Sequence, residues 1–329
     1  MMNNQWLQNI LPPIEKISIR SEPDYYGISY LIAKEIGLSK PPRSFAYWMH
    51  GWPIDPNVTY PQELVSGGTQ HDVVLVATQE QEKILKGFGY TQVTAVGMPF
   101  IYAESNPETK RQPNSLLVMP NHSSKFSKLS VDQENYIREI AALKKDFSSV
   151  MVSLHGSCVE SNYWIPVLEQ YNIPWIIGAS TNDKNALKRM HTIFKSFEYV
   201  TTNTMGSHVL YASYLGCKVF FYGQFDKMDK TDYLREPYYQ KNPEILKKRI
   251  LFACRENYKS LFPWLFIHPS QAVCNQPWAA NLIGEVNKRE APEIAMLLGW
   301  SRQRQLMGYA GLTAKVVKNP FLLRKLVFR

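Results

Sequence analysis

Five short segments of this 329-residue chain gather side chains that can do chemistry. His50-Gly51-Trp52 closes an apolar run. Farther on come Asn121-His122-Ser123-Ser124, His155-Gly156-Ser157, Gly178-Ala179-Ser180-Thr181-Asn182 and Asn203-Thr204-Met205-Gly206-Ser207-His208. An imidazole with a pKa of about 6.5 can take a proton from a hydroxyl at neutral pH, which makes His50 a candidate general base. The same residue also suits a tight Gly-Pro turn in which its ring is simply satisfied. Thr204-Met205-Gly206-Ser207 has the composition of a helix's first turn, where backbone N–H groups lack partners and the helix dipole favours an anion. Gly206 lets a ligand approach the backbone closely, so a diphosphate can be held there without a metal. A plain N-cap by Thr204 or Ser207 accounts for the same residues. His122, His155 and His208 can donate to phosphate oxygens, or serve the structure alone. His268 is a weaker loop candidate, and His71 and His191 read as structural or surface groups.

Other chemistries lack their residues. No paired carboxylate of the D-x-D type stands at a strand end. No G-x-G-x-x-G, phosphate-binding loop or G-x-S-x-G elbow is present. Leu154-His155-Gly156-Ser157 resembles a hydrolase oxyanion turn only superficially, without the second glycine or a clear Asp/His pair. The four cysteines, Cys158, Cys217, Cys254 and Cys274, form no C-x-x-C pair and no cluster with His. They read as reduced thiols, and neither a metal nor a cofactor is expected.

The elements that position these segments follow from hydrophobic periodicity. Apolar runs at 116–119, 150–154, 174–178, 199–202 and 218–222 alternate with helical stretches at 131–147, 159–171 (with Pro166 bending it or sitting early), 185–197 and 206–215. Buried strands separated by helices predict a parallel sheet covered on both faces, in a Rossmann-like domain. The first half reads as further βαβ elements: strands at 17–19, 44–49, 73–77 and 93–96, helices at 25–36 and 79–86. Linker composition at 104–114 separates the halves. The expected fold class is α/β, with two Rossmann-like domains facing a cleft: 1–108, 109–290, and C-terminal helices with a basic tail at 291–329. The last helices are expected to cross back to the first domain. In a doubly wound sheet, ligands bind beyond the carboxyl ends of the strands, where all the segments above fall.

The chain carries a net charge of +9. From Ile294 onward there are seven cations (Arg302, Arg304, Lys315, Lys318, Arg324, Lys325 and Arg329) and no acidic residue. The stretch 312–329 mixes these with Val, Leu and Phe, a pattern that can lie against anionic lipid, or pack one face on the body. No basic stripe or motif predicts nucleic acid as a partner. Met1 to Trp6 lacks a secretory pattern, and the longest uncharged run is broken by prolines, so a cytoplasmic protein is expected, resting at most on the inner membrane face.

In order along residues 45–223, these motifs resemble the GT-B-fold enzymes of bacterial surface polysaccharide biosynthesis, among them the CDP-glycerol-dependent teichoic acid polymerases. The strand followed by His50-Gly51-Trp52, then Asp72-Val73-Val74-Leu75-Val76, Phe88-Gly89-Tyr90 and Val96-Gly97-Met98-Pro99, is similar to their N-terminal domain. Leu117-Val118-Met119-Pro120-Asn121-His122 looks like their entry into the second domain. Thr202-Asn203-Thr204-Met205-Gly206-Ser207, followed by Val219-Phe220-Phe221-Tyr222-Gly223, sits where they have a hydroxylated turn, a helix and a strand. The resemblance implies transfer of a sugar from a nucleotide-sugar donor to a glycan or lipid-linked acceptor, in O-antigen or capsule assembly, with no metal and no cofactor beyond the donor. It gives His50 the base position and His122, Thr204, Gly206 and Ser207 the donor-phosphate positions. The other expected nucleotide contacts are Asn121, Ser123, His155, Gly156, Ser157, Gly178, Asn203 and His208. Asn203-Thr204 replaces the family's acidic turn, which favours a nucleotide-sugar over CDP-glycerol. The alternatives are polyol-phosphate transfer, a nucleotide-sugar 2-epimerase of the same fold, for which the strand edges offer no carboxylate, and an inactive nucleotide- or glycan-binding protein.

Overall fold

The computed structural model describes residues 5–65, 67–122, 131–226 and 230–318. Ser123 and the tail at 319–329 lie outside the described residues. Among the described residues, eight strands form two parallel sheets. β1 (Ala46–Trp48), β2 (Val73–Val76) and β3 (Gln92–Ala95) pair in that order. β4 (Gln112–Met119), β5 (Ser149–Leu154), β6 (Trp175–Ile177), β7 (Phe197–Thr202) and β8 (Lys218–Phe221) form a five-stranded sheet ordered β6-β5-β4-β7-β8. The chain order reverses beside β4, which places a topological switch point between the carboxyl ends of β4 and β7.

The helices follow in chain order: α1 (Gln5–Ile10), α2 (Ile28–Glu35), α3 (Gln79–Gly87), α4 (Gln133–Ala142), α5 (Gly156–Glu160), α6 (Ile165–Gln170), α7 (Ala186–Ser196) and α8 (Ser207–Tyr214). Beyond β8 come α9 (Lys230–Tyr233), α10 (Pro237–Lys241), α11 (Pro243–Phe252), α12 (Arg255–Leu261), α13 (Gln276–Ile283), α14 (Ala291–Leu297) and α15 (Arg302–Lys318). Among the described residues no helix is long and apolar enough to cross a membrane.

Alternation along β4 shows how the larger sheet is covered. Leu116 and Val118 face a core with Tyr136 and Ile140 of α4 and Leu168 of α6. Leu117 faces the opposite core with Ile193 and Phe194 of α7 and Val209 of α8. That second core continues without a break into Trp48, Leu75 and Val76 of the small sheet. Phe100 joins the two: it stacks on Tyr211 at 4.1 Å and meets Phe194 edge-on at 6.2 Å. The chain ends cross over. Trp6 of α1 packs on Phe197, while Met98 donates its N–H to Ile283 and Phe45 donates to Leu298.

Several expected boundaries move, for identifiable reasons. No strand forms at 17–19; Ile17 donates to the Asn182 carbonyl, and only a single bridge joins Lys16 to Asp183. The helix expected at 25–36 is broken by Tyr26 (φ +58°) and Gly27 (φ +79°), and a 3₁₀ turn, Glu22–Gly27, precedes α2. A Cβ on Gly27 would stand 1.9 Å from the Lys184 carbonyl oxygen, so the break is where the two halves touch backbone to backbone. The expected linker ends early, since Gln112, Pro113 and Asn114 already belong to β4. Pro113 has no N–H to give, and the pairing with β7 shifts register between Gln112 and Leu116. The stretch 159–171 divides into α5 and α6, separated by Asn162 (φ +52°), with Pro166 in the first turn of α6.

Candidate functional site

The carboxyl ends of both sheets open onto one cavity of about 500 Å³. Asn121 and His122 reach it from β4, His155 from β5, Gly178 from β6, Thr204, Gly206, Ser207 and His208 from β7, and His50 from β1. Gly156, Ser157 and Asn203 do not line it. Gly156 lies under the Ser180 hydroxyl, where a Cβ would come within 2.1 Å of Oγ. Asn203 is buried at the switch point and ties its two loops: its Oδ1 accepts from the Asn121 N–H at 2.8 Å, and its carbonyl accepts from the Asp226 N–H at 2.9 Å. The Asn121 amide in turn donates to the Asp226 carboxylate.

Helix α8 begins without a side-chain cap. Its N-cap is Gly206, in extended conformation, and no hydroxyl covers the first-turn amides. The side-chain cap expected as an alternative therefore does not form. The Ser207 hydroxyl is used otherwise, accepting from the Trp52 N–H at 2.8 Å. One turn on, Tyr211 donates its hydroxyl to the His50 carbonyl at 2.9 Å. These two bonds fix the loop after β1 onto α8, so that His50 lines the same cavity as Gly206 and Ser207 at the start of the helix.

The His50 ring lies 5.5 Å from those of Tyr25 and Tyr26, and its Nδ1 is 3.9 Å from Oε1 of Glu22. Burial lowers its pKa, with the Trp48 backbone opposing in part. A neutral imidazole follows at physiological pH, and it is the form that accepts a proton.

The other three histidines meet on the opposite wall. His122 stacks on His155 at 4.4 Å, with 22° between the rings. Nδ1 of His155 accepts from the Ser157 N–H at 3.2 Å, which leaves the ring proton on Nε2. In His208, Nε2 lies 3.0 Å from the Thr202 hydroxyl, which itself points to the Thr204 carbonyl; His208 is thereby assigned as the donor. Burial first, and His122 second, push both His155 and His208 down to about 4. Both rings are neutral donors at pH 7.

The remaining wall comes from α9 to α12, where sequence reasoning found nothing. Arg249 sits among Tyr233, Tyr239 and Tyr258, donating Nη1–H to the Tyr239 hydroxyl at 2.7 Å with its guanidinium 6.0 Å over that ring. No Asp or Glu lies within ion-pair distance of it among the described residues. Asp226 and Glu236 line the same cavity, and burial raises the Glu236 pKa while Arg249 lowers it. The recurrent tyrosines around Lys247-Lys248-Arg249 were the available signal. Among the described residues no group of three His, Cys, Asp or Glu side chains is arranged to hold a metal ion.

The five-stranded parallel sheet, with a cavity at its switch point, makes this an α/β protein compatible with a Rossmann-like fold. No family model and no curated protein matches the sequence.

Proposed function

We propose that the chain is a GT-B-type glycosyltransferase that moves a sugar from a nucleotide-sugar donor to a glycan or lipid-linked acceptor. One observation carries the reading: a candidate base, His50, and the uncapped N-terminus of α8 open onto the same cavity at the switch point of a doubly wound sheet. The donor phosphates accept hydrogen bonds from the first-turn amides of α8 and from His122, and Arg249 meets their charge. That set of donors is fixed before the reaction and faces the oxygens on which charge develops as the nucleotide leaves. The acceptor hydroxyl gives its proton to His50 while its oxygen attacks the anomeric carbon, and the glycosidic bond to phosphate breaks. The reading needs no metal ion, since cation and dipoles already oppose the leaving charge.

The test is calorimetric titration with UDP-, GDP-, CDP- and CMP-sugars, followed by a turnover assay with mixed glycan acceptors. One nucleotide class is expected to bind, with affinity kept in His50→Ala and turnover down about 10²- to 10⁴-fold. Arg249→Gln is expected to weaken that binding by about tenfold or more. Absence of nucleotide binding overturns the proposal, and binding without turnover that is unchanged in His50→Ala marks a nucleotide-binding protein instead. A second reading gains from Asp226 and Glu236, because carboxylates in the cavity are what a nucleotide-sugar 2-epimerase requires. Interconversion of free nucleotide sugars without an acceptor selects it.

A further inference from the structure

Helix α15 presents three distinct faces. One is fixed to the body: Gln305 donates its side-chain amide to the Arg43 carbonyl at 2.8 Å and to that of Gly299 at 2.7 Å. Gly308 lies so close to the Phe45 ring that a Cβ would come within 2.4 Å, and Tyr309 meets the same ring edge-on at 5.5 Å. Opposite this seat runs an apolar stripe. At about 100° per residue, Leu306, Ala310 and Val317 fall within about 40° of one another. All three are exposed, Leu306 and Val317 at 74% each, and Met307 extends the stripe at 60%.

The third feature is charge. Arg302 and Arg304 are exposed at the start of the helix, Lys315 and Lys318 belong to its last turns, and α15 contains no acidic residue. A helix seated by one face on the body leaves its other side unable to fold inward. An apolar stripe flanked by cations alone suits a surface that is apolar beneath and anionic at its face.

We propose that α15 lies on an anionic lipid surface, with Leu306, Ala310 and Val317 entering the headgroup boundary and Arg302 and Arg304 meeting lipid phosphates. This assignment is independent of the transferase reading. Its occupant is lipid rather than a second copy of the chain, because a self-complementary contact through α15 would set like charges against each other.

The experiment is co-sedimentation of the full-length protein with vesicles of phosphatidylcholine alone or with about one third phosphatidylglycerol. Binding is expected only with the anionic vesicles, and it is expected to fall on raising salt from about 0.1 M to about 0.5 M. Arg302→Gln with Arg304→Gln should reduce the partition coefficient by about thirty-fold, at about fivefold per charge. Leu306→Asp with Val317→Asp should abolish binding with an unchanged thermal midpoint, since both side chains are exposed in the folded protein. Equal sedimentation with neutral vesicles, binding that survives both double variants, or no sedimentation at all overturns the proposal. So does a dimer that Leu306→Asp dissociates in the absence of vesicle binding.

Discussion

Acidification should destabilise this protein in a way that its buried histidines determine. His155, His191 and His208 are each pushed down to about 4, in every case by burial first. In the unfolded chain each returns to about 6.5. Between these values the unfolded state binds protons that the folded state refuses, so stability is complete above pH 6.5 and is lost as pH falls toward 4. The difference corresponds to about 3 kcal/mol for His191, which is buried. His155 and His208 reach the cavity, and solvent screening reduces each to about half of that. The three together make about 6 kcal/mol, comparable with the whole stability of many domains. With the two cavity histidines reduced in this way, the slope reaches about two protons near pH 6, about 3 kcal/mol per pH unit.

Urea unfolding followed by tryptophan fluorescence between pH 7.5 and 4.5 measures that slope. His191→Phe sharpens the test. Nδ1 of His191 is buried without a hydrogen-bond partner among the described residues, and its ring stacks on Phe100 at 5.2 Å. Phenylalanine keeps the stack and removes the orphaned nitrogen, so the variant should be more stable at pH 7 by about 1 kcal/mol and should lose one proton from the acid slope. A wild-type slope below one proton, or an unchanged slope in His191→Phe, refutes the reasoning.

Tyr211→Phe should retain the stack on Phe100 but strand the His50 carbonyl, costing about 1–2 kcal/mol in urea unfolding and slowing turnover more than it weakens nucleotide binding; equal losses in both would place Tyr211 outside the positioning of His50. Gly284→Ala should be severe, about 3 kcal/mol or more by thermal melting, because φ is +74° and the new Cβ would lie 1.9 Å from the Ala77 carbonyl oxygen.

The larger sheet was legible in the sequence because its central strands are buried on both faces, so that stretches such as 116–119 and 150–152 read as apolar runs. The loops that close the cavity were legible too, since strand ends are marked by abrupt Gly, Asn, His and hydroxyl residues. The break at Tyr26 and Gly27 was not: it answers to the Lys184 carbonyl, far away in sequence, and local periodicity there is helical. Arg249 was hidden for a similar reason. The short helices α9 to α12 have little periodicity, and only their fold over the cavity turns an ordinary surface-type arginine into a group that lines it. Asn203 illustrates the opposite error. Its position at a strand end suggested a ligand contact, whereas burial gives it the work of joining two loops.

The unbroken core beneath Phe100 and Tyr211 also bears on how the chain can be handled. Either half alone would expose part of that core: α1 packs on the larger sheet, and α13 and α14 return to the smaller one. Recombinant fragments divided at residues 104–111 should each precipitate alone yet recover a native complex when co-expressed. A protease cut in that segment should leave the two pieces eluting together, so the polypeptide behaves as a single cooperative body whose connecting peptide is dispensable once folding is done.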